Sequence, residues 1–162
     1  MLVVAPAVTQ ACNDKEQVVP MLAQQAELPA TLGKPTELLT VSGYYSAANA
    51  SACTANGTEP LMAVKRKEHH PSPCARFTEP PPQAAGATPA QHVGHKLQTK
   101  VGRARYALRK QTVEPVFGII NSVLGFRQFS LRGVEKVSGE WTLVCLAWNL
   151  KRMAVLRRQI GN

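Results

Sequence analysis

The chain reads as an α/β protein with a helical, strongly basic C-terminal part. Three observations predict this. Over residues 1–64, short β-branched or apolar runs alternate with segments that can be capped as helices, the order that builds a parallel sheet with crossover helices. After residue 96, apolar side chains recur at helical spacing. The charge is also lopsided: residues 1–95 carry 6 Lys+Arg against 7 Asp+Glu, whereas residues 96–162 carry 13 against 3, a local net charge of +10. A cationic segment of this kind fits a polyanionic partner, nucleic acid above all, or a solvated basic face.

Taken in order, Leu2–Thr9 is apolar and β-branched and predicts a strand, placed at an edge or bulged because Pro6 has no N–H to donate. Asn13 or Asp14 can cap a helix reaching Leu28, with Val18, Met21, Leu22 and Ala26 inward. Pro29, Gly33 and Pro35 punctuate a loop. Leu38–Val41 and Leu61–Val64 are short strands. Between them Ser46 caps a helix that Asn56-Gly57 ends.

Residues 65–96 are rich in Pro and Gly and read as an insertion or linker unable to sustain a helix or a central strand. This divides the chain into 1–64, 65–96 and 97–162. Lys65, Arg66 and Lys67 read equally as candidate phosphate contacts or as a solvated loop. His69, His70, Cys74, His92 and His95 match no common zinc spacing and read as loop residues. Cys12, Cys53, Cys74 and Cys145 are scattered, which predicts free, reduced thiols. The N-terminus has no basic n-region and too short an apolar stretch for a signal peptide, so the protein reads as cytoplasmic. No apolar run approaches the roughly 20 residues of a membrane span, so no membrane partner is expected.

Lys96–Lys110 predicts a basic helix, weakened by Gly102. A second helix follows, with Thr112 as N-cap, Pro115 in its first turn, and Val116, Ile119, Ile120, Val123 and Leu124 as its buried stripe. Glu114, Gly118 and Asn121 then share one face, because seven residues make nearly two turns. Lys110 joins that face if the helix runs back through Pro115. Phe126 and Phe129 flank Arg127 and should pack into the core. Val137–Leu156 is the last helix; Trp141, Val144, Cys145 and Trp148 form one stripe, widened by Leu143, Leu146, Ala147 and Leu150. A helix so apolar is expected to be buried.

Three motifs carry a family resemblance: Tyr-x-x-Arg-Lys-x-x-Val-Glu-Pro-Val-Phe-Gly from Tyr106, Gly-Phe-Arg-Gln-Phe-x-Leu-Arg-Gly from Gly125, and Trp-x-Leu-Val-Cys-Leu-Ala-Trp-Asn-Leu-Lys-Arg from Trp141. Together they resemble the C-terminal end of bacterial insertion-sequence transposases, DDE enzymes with an RNase H-like catalytic domain. Val-Thr-Gln-x-x-Asn-Asp-Lys from Val8 and Gly-Tyr-Tyr-Ser-x-Ala-Asn from Gly43 resemble segments that follow the family's first and second catalytic Asp.

The resemblance implies a partial RNase H-like fold truncated at the N-terminus. Glu114 falls at the final acid, the catalytic and metal-binding Glu. Tyr106, Arg109, Lys110, Asn121, Arg127 and Arg132 fall at or beside positions that contact DNA. Tyr106 is one residue out of register, and Asn121 replaces a Lys. Val41 stands where the second Asp belongs, and the first Asp would lie upstream of Met1; Asp14 matches a non-catalytic position. The implied cofactor is Mg²⁺ or Mn²⁺, held in the family by three carboxylates. The implied activity is DNA transposition, with this chain inactive alone. The implied partners are DNA and either a full-length transposase or a separate N-terminal part supplying the acids.

Overall fold

A computed structural model describes residues 1–64, 72, 74, 78–83 and 86–160. Lys65–Lys67, His69 and His70 lie outside the described residues. The chain divides into two units, one of residues 11–109 and one of residues 1–10 with 110–162.

The first unit begins with a 3-10 turn, Asp14–Gln17, whose N-cap Asn13 accepts from the Lys15 N–H at 3.1 Å. It runs into α1 (Val18–Ala26), which buries Val18 and Leu22. Strand β1 (Glu37–Thr40), helix α2 (Ala47–Ala55) and strand β2 (Glu59–Met62) follow. Ser46 caps α2 as expected, accepting from the Asn49 N–H at 3.0 Å. The strands pair in parallel, Leu39 opposite Leu61, with α2 as the crossover. The coarse α/β class therefore holds, in the form of a two-stranded sheet. Val18, Leu22, Ala50, Cys53, Met62 and Val93 make the core. Asn49 is buried within it and satisfied, donating to the carbonyls of Lys15 at 2.7 Å and Tyr44 at 2.9 Å, as a buried amide must be.

Two expectations fail in this unit. Residues 65–96 do sustain a helix at their end, α3 (Pro89–Lys96). Pro89 opens it rather than breaking it, because a first-turn residue needs no N–H partner. Thr88 and Gln91 form a reciprocal capping box. Nor does a separate helix end at Lys110. Helix α4 runs unbroken over Lys100–Ser122, with Pro115 in its interior, and Thr112 is a mid-helix residue and no cap.

At the corner between α3 and α4, the Thr99 hydroxyl donates to the Lys96 carbonyl at 2.8 Å and accepts from the Gly102 N–H at 3.0 Å. A Cβ on residue 102 would lie 1.9 Å from the Lys96 carbonyl oxygen. Gly102 therefore does not mark weak helix; it is the residue that lets two helices meet.

The second unit holds the rest of α4 and α5 (Val134–Ile160). Val116, Ile120 and Trp148 are its buried centre, with Val3, Ile119, Leu124, Phe126, Trp141 and Val144 packed around them. Val123 leaves the predicted stripe and is 61% exposed. Leu143, Leu146 and Leu150 are also exposed, so α5 is buried along one stripe and not all round.

The predicted strand Leu2–Thr9 is not a strand. Its place is taken by a side-chain clamp. Asn149 on α5 accepts from the Val3 N–H at 2.8 Å and donates to the Val3 carbonyl at 2.6 Å. The Trp148 indole donates to the Met1 carbonyl at 3.2 Å. One amide thus supplies both hydrogen bonds that a neighbouring strand would have given Val3. Asn149→Asp keeps the acceptor and loses the donor, setting oxygen against oxygen. It should cost about 2 kcal/mol in that contact and speed amide hydrogen exchange at Val3; unchanged protection there would refute the clamp.

Candidate nucleic-acid interface and acid helix

Helix α4 settles the geometry around the acid. Because it is continuous, Lys110, Glu114, Gly118 and Asn121 do follow one another about a turn apart on a common face. All four are exposed. Glu114 is thus a solvent-facing carboxylate on a rigid element, one turn from an ammonium.

Tyr106 and Arg109 belong to the first unit. The Tyr106 hydroxyl donates to the Thr40 carbonyl at 2.9 Å, tying α4 to the end of β1. The Arg109 guanidinium sits 5.6 Å from the centre of the Tyr106 ring, within cation–π range.

In the second unit the structure brings two of the predicted residues together. Asn121 and Arg127 line a groove of about 400 Å³ with Ala7, Val8, Phe117, Phe126, Gln128, Phe129 and Trp141. Its floor is an aromatic cluster. Phe117 stacks on Trp141 at 5.6 Å between ring centres and 7° between planes, and Phe126 meets Phe129 edge-on at 5.3 Å. Phe126 and Phe129 do pack, as expected, while their neighbours Arg127 and Gln128 face solvent. Phe117 and Gln128 join the predicted residues in this groove. Gln128's position beside Arg127 was the available signal.

Arg132 is turned inward to its own loop, donating to the carbonyls of Phe129 at 3.3 Å and Leu131 at 3.2 Å. The same loop is fastened by Glu140 of α5. Its carboxylate accepts from the Ser130 N–H at 2.9 Å and the Leu131 N–H at 3.1 Å. These two backbone bonds, aided by Arg132, hold the Glu140 carboxyl below its ordinary range. Since the folded value is depressed, the loop's fastening is complete above the ordinary Glu value. It is lost as pH falls through the lower folded value. Glu140→Gln should disperse the amide resonances of Ser130 and Leu131 less at neutral pH; unchanged shifts would refute the fastening role.

Among the described residues no group of three or more His, Cys, Asp or Glu side chains could hold a metal ion. Val41, just after β1, offers hydrocarbon. Asp14 lies against the turn that follows, its Oδ2 3.0 Å from where a Gly43 Cβ would be. Burial, and to a smaller extent Asp14, pushes the Tyr44 hydroxyl's pKa up. Asp14 in the first unit and Glu114 in the second each stand outside any such group. Hard divalent cations need several oxygen ligands at once, so these residues do not fit a two-metal site by themselves. The four cysteines are free, Cys12 and Cys74 exposed, Cys53 and Cys145 buried. No helix among the described residues is long and apolar enough to cross a membrane.

No curated protein and no solved structure matches the chain. Among protein families, residues 82–154 match the transposase DDE domain. The matched range contains Tyr106, Arg109, Lys110, Glu114, Asn121, Arg127 and Arg132, and ends before the Arg157-Arg158 pair. Over those residues, somewhat less than half of its length, the chain is similar to a transposase DDE domain.

Proposed function

We propose that this chain is the acid-helix portion of a bacterial insertion-sequence transposase of RNase H-like descent. In this reading it binds DNA through its basic second half and cannot cleave DNA with its own acids. The observation that carries the reading is the family match over residues 82–154, which encloses Glu114 within the cationic segment. Glu114 would be the family's final acid, while Val41 leaves the second acid's place without a carboxylate. Lys110, Asn121 and Arg127 would be its nearest DNA contacts, with Tyr106, Arg109 and Arg132 supporting from their own helix and loop.

The donor set supports the second half of the proposal. In the family, divalent metal activates a water or a DNA 3′-hydroxyl. Here the acids described above do not fit that group, so no step is assigned through it. That same deficit favours a second role, association with another transposase chain that contributes the missing carboxylates.

The test is nicking of a labelled duplex by the purified chain in Mg²⁺ or Mn²⁺, with Val41→Asp and Glu114→Gln alongside and binding recorded as salt is raised. Salt-sensitive binding without nicking is the expected result. Nicking by the unaltered chain would overturn the assignment of missing acids and make Asp14 the first candidate. Nicking that appears on adding a full-length transposase and vanishes with Glu114→Gln would establish the second role.

A further inference from the structure

Helix α5 has a second apolar stripe, opposite the one that packs on α4. Leu143, Leu146, Leu150 and Met153 follow one another at intervals of three, four and three residues, the 3.5-residue period of a two-helix seam. They are 65%, 51%, 55% and 45% exposed. Gly139 continues the stripe toward the N-terminus, with nothing within 4 Å of its would-be Cβ. Beside it lies a groove of about 580 Å³ walled by Leu131, Lys136, Glu140, Thr142 and Leu143. So the N-terminal end of the stripe is hollow, and its C-terminal end carries Leu150 and the long, adaptable Met153.

The geometry points to a second copy of this chain as the occupant, its α5 lying antiparallel on this one about a two-fold axis near Leu146. Two features select that occupant. The stripe is self-complementary: turned end for end, Leu150 and Met153 of the second copy meet the hollow at Gly139. The charge is self-complementary too. The half of α5 over residues 134–146 has Glu135, Lys136 and Glu140, for a net of −1, while residues 147–160 have Lys151, Arg152, Arg157 and Arg158, for +4. Antiparallel pairing sets the acidic half beside the basic half, within the roughly 10 Å over which charges act at moderate salt. Parallel pairing would set +4 on +4. A closed, isologous contact of this kind stops at two copies. The inference does not depend on the transposase reading, since it uses no acid-helix residue.

Light scattering of the full chain at rising concentration tests it. A dimer is expected, and Leu146→Glu or Leu150→Glu should return it to half the mass with helical circular dichroism unchanged, because both side chains are on the surface. A monomer, a larger assembly, or a dimer that survives both substitutions overturns the proposal. Direction is read separately by spin labels on Lys136→Cys in a Cys12→Ser, Cys74→Ser background. Ten residues either side of Leu146 at 1.5 Å each place the two labels about 30 Å apart in the antiparallel pair. A parallel pair would hold them about 10 Å apart, and that result would overturn the arrangement.

Discussion

Raising salt from 50 to 200 mM is expected to weaken duplex binding about a thousandfold. The size of that effect depends on which cations are available. In the first unit, Lys96 pairs with Glu59, Arg105 with Glu37 at 3.4 Å, and Arg103 donates to the carbonyls of Thr78 and Gln98. Those charges are committed to the fold. In the second unit, Arg132 is likewise turned to its loop. Lys110, Arg127, Lys136, Lys151, Arg157 and Arg158 are exposed there. If these make about six phosphate contacts, the slope of log affinity against log salt is about −5, which over a fourfold change in salt gives the stated loss. Each of Arg157→Gln and Arg158→Gln should reduce that slope by about 0.9 without changing sequence preference. Fluorescence anisotropy with a labelled duplex at four salt concentrations measures both. A flat salt dependence would overturn the DNA-binding reading whatever the nicking assay showed.

Gly102→Ala should destabilise the first unit by about 3 kcal/mol, against the ordinary rule. In an open helix, Gly→Ala gains about 1 kcal/mol from backbone entropy and propensity. At residue 102 the new methyl would sit 1.9 Å from the Lys96 carbonyl oxygen, 2.8 Å from its carbon and 3.0 Å from the Thr99 hydroxyl. Two of these are backbone atoms and cannot swing aside. The corner would have to open, giving up the Thr99 bridge and disturbing Leu97, which is buried. Gly118 provides the control within the same helix. Nothing lies within 4 Å of its would-be Cβ, so Gly118→Ala should stabilise by about 1 kcal/mol. Urea unfolding of the two variants should shift in opposite directions. A stabilised Gly102→Ala would mean that α3 and α4 do not meet as described.

These expectations separate what was legible from what was not. Local chemistry was readable. Asn13 and Ser46 cap because each side chain reaches an N–H two or three residues on, within the same short segment. The parallel pair β1–β2 was readable from its crossover helix and spacing. The exposed face of Lys110, Glu114, Gly118 and Asn121 was readable because helical period alone groups them. The site's other half was less so. Tyr106 and Arg132 carry the right residue types, yet one hydroxyl ties α4 to β1 and one guanidinium closes its own loop, choices made by partners distant in sequence or by a turn.

The largest differences, at Val3 and along α5, turn on a partner that sequence spacing does not name. Val3 has the composition of a strand residue, but Asn149, 146 residues away, supplies its hydrogen bonds. Pro115 and Gly102 look like helix breaks, and both are inside α4. Leu143, Leu146 and Leu150 look like core, but the α4 contact uses the stripe of Trp141, Cys145 and Trp148 and leaves theirs outside. The sequence by itself determined the short-range facts: the caps, the periods, the concentration of positive charge after residue 96 and Glu114 as the one acid between Tyr106 and Arg132. The tertiary structure alone decided which apolar stripe is buried and why residue 102 must lack a side chain. Both depend on which atoms the packed helices bring together, and no local pattern encodes those distances.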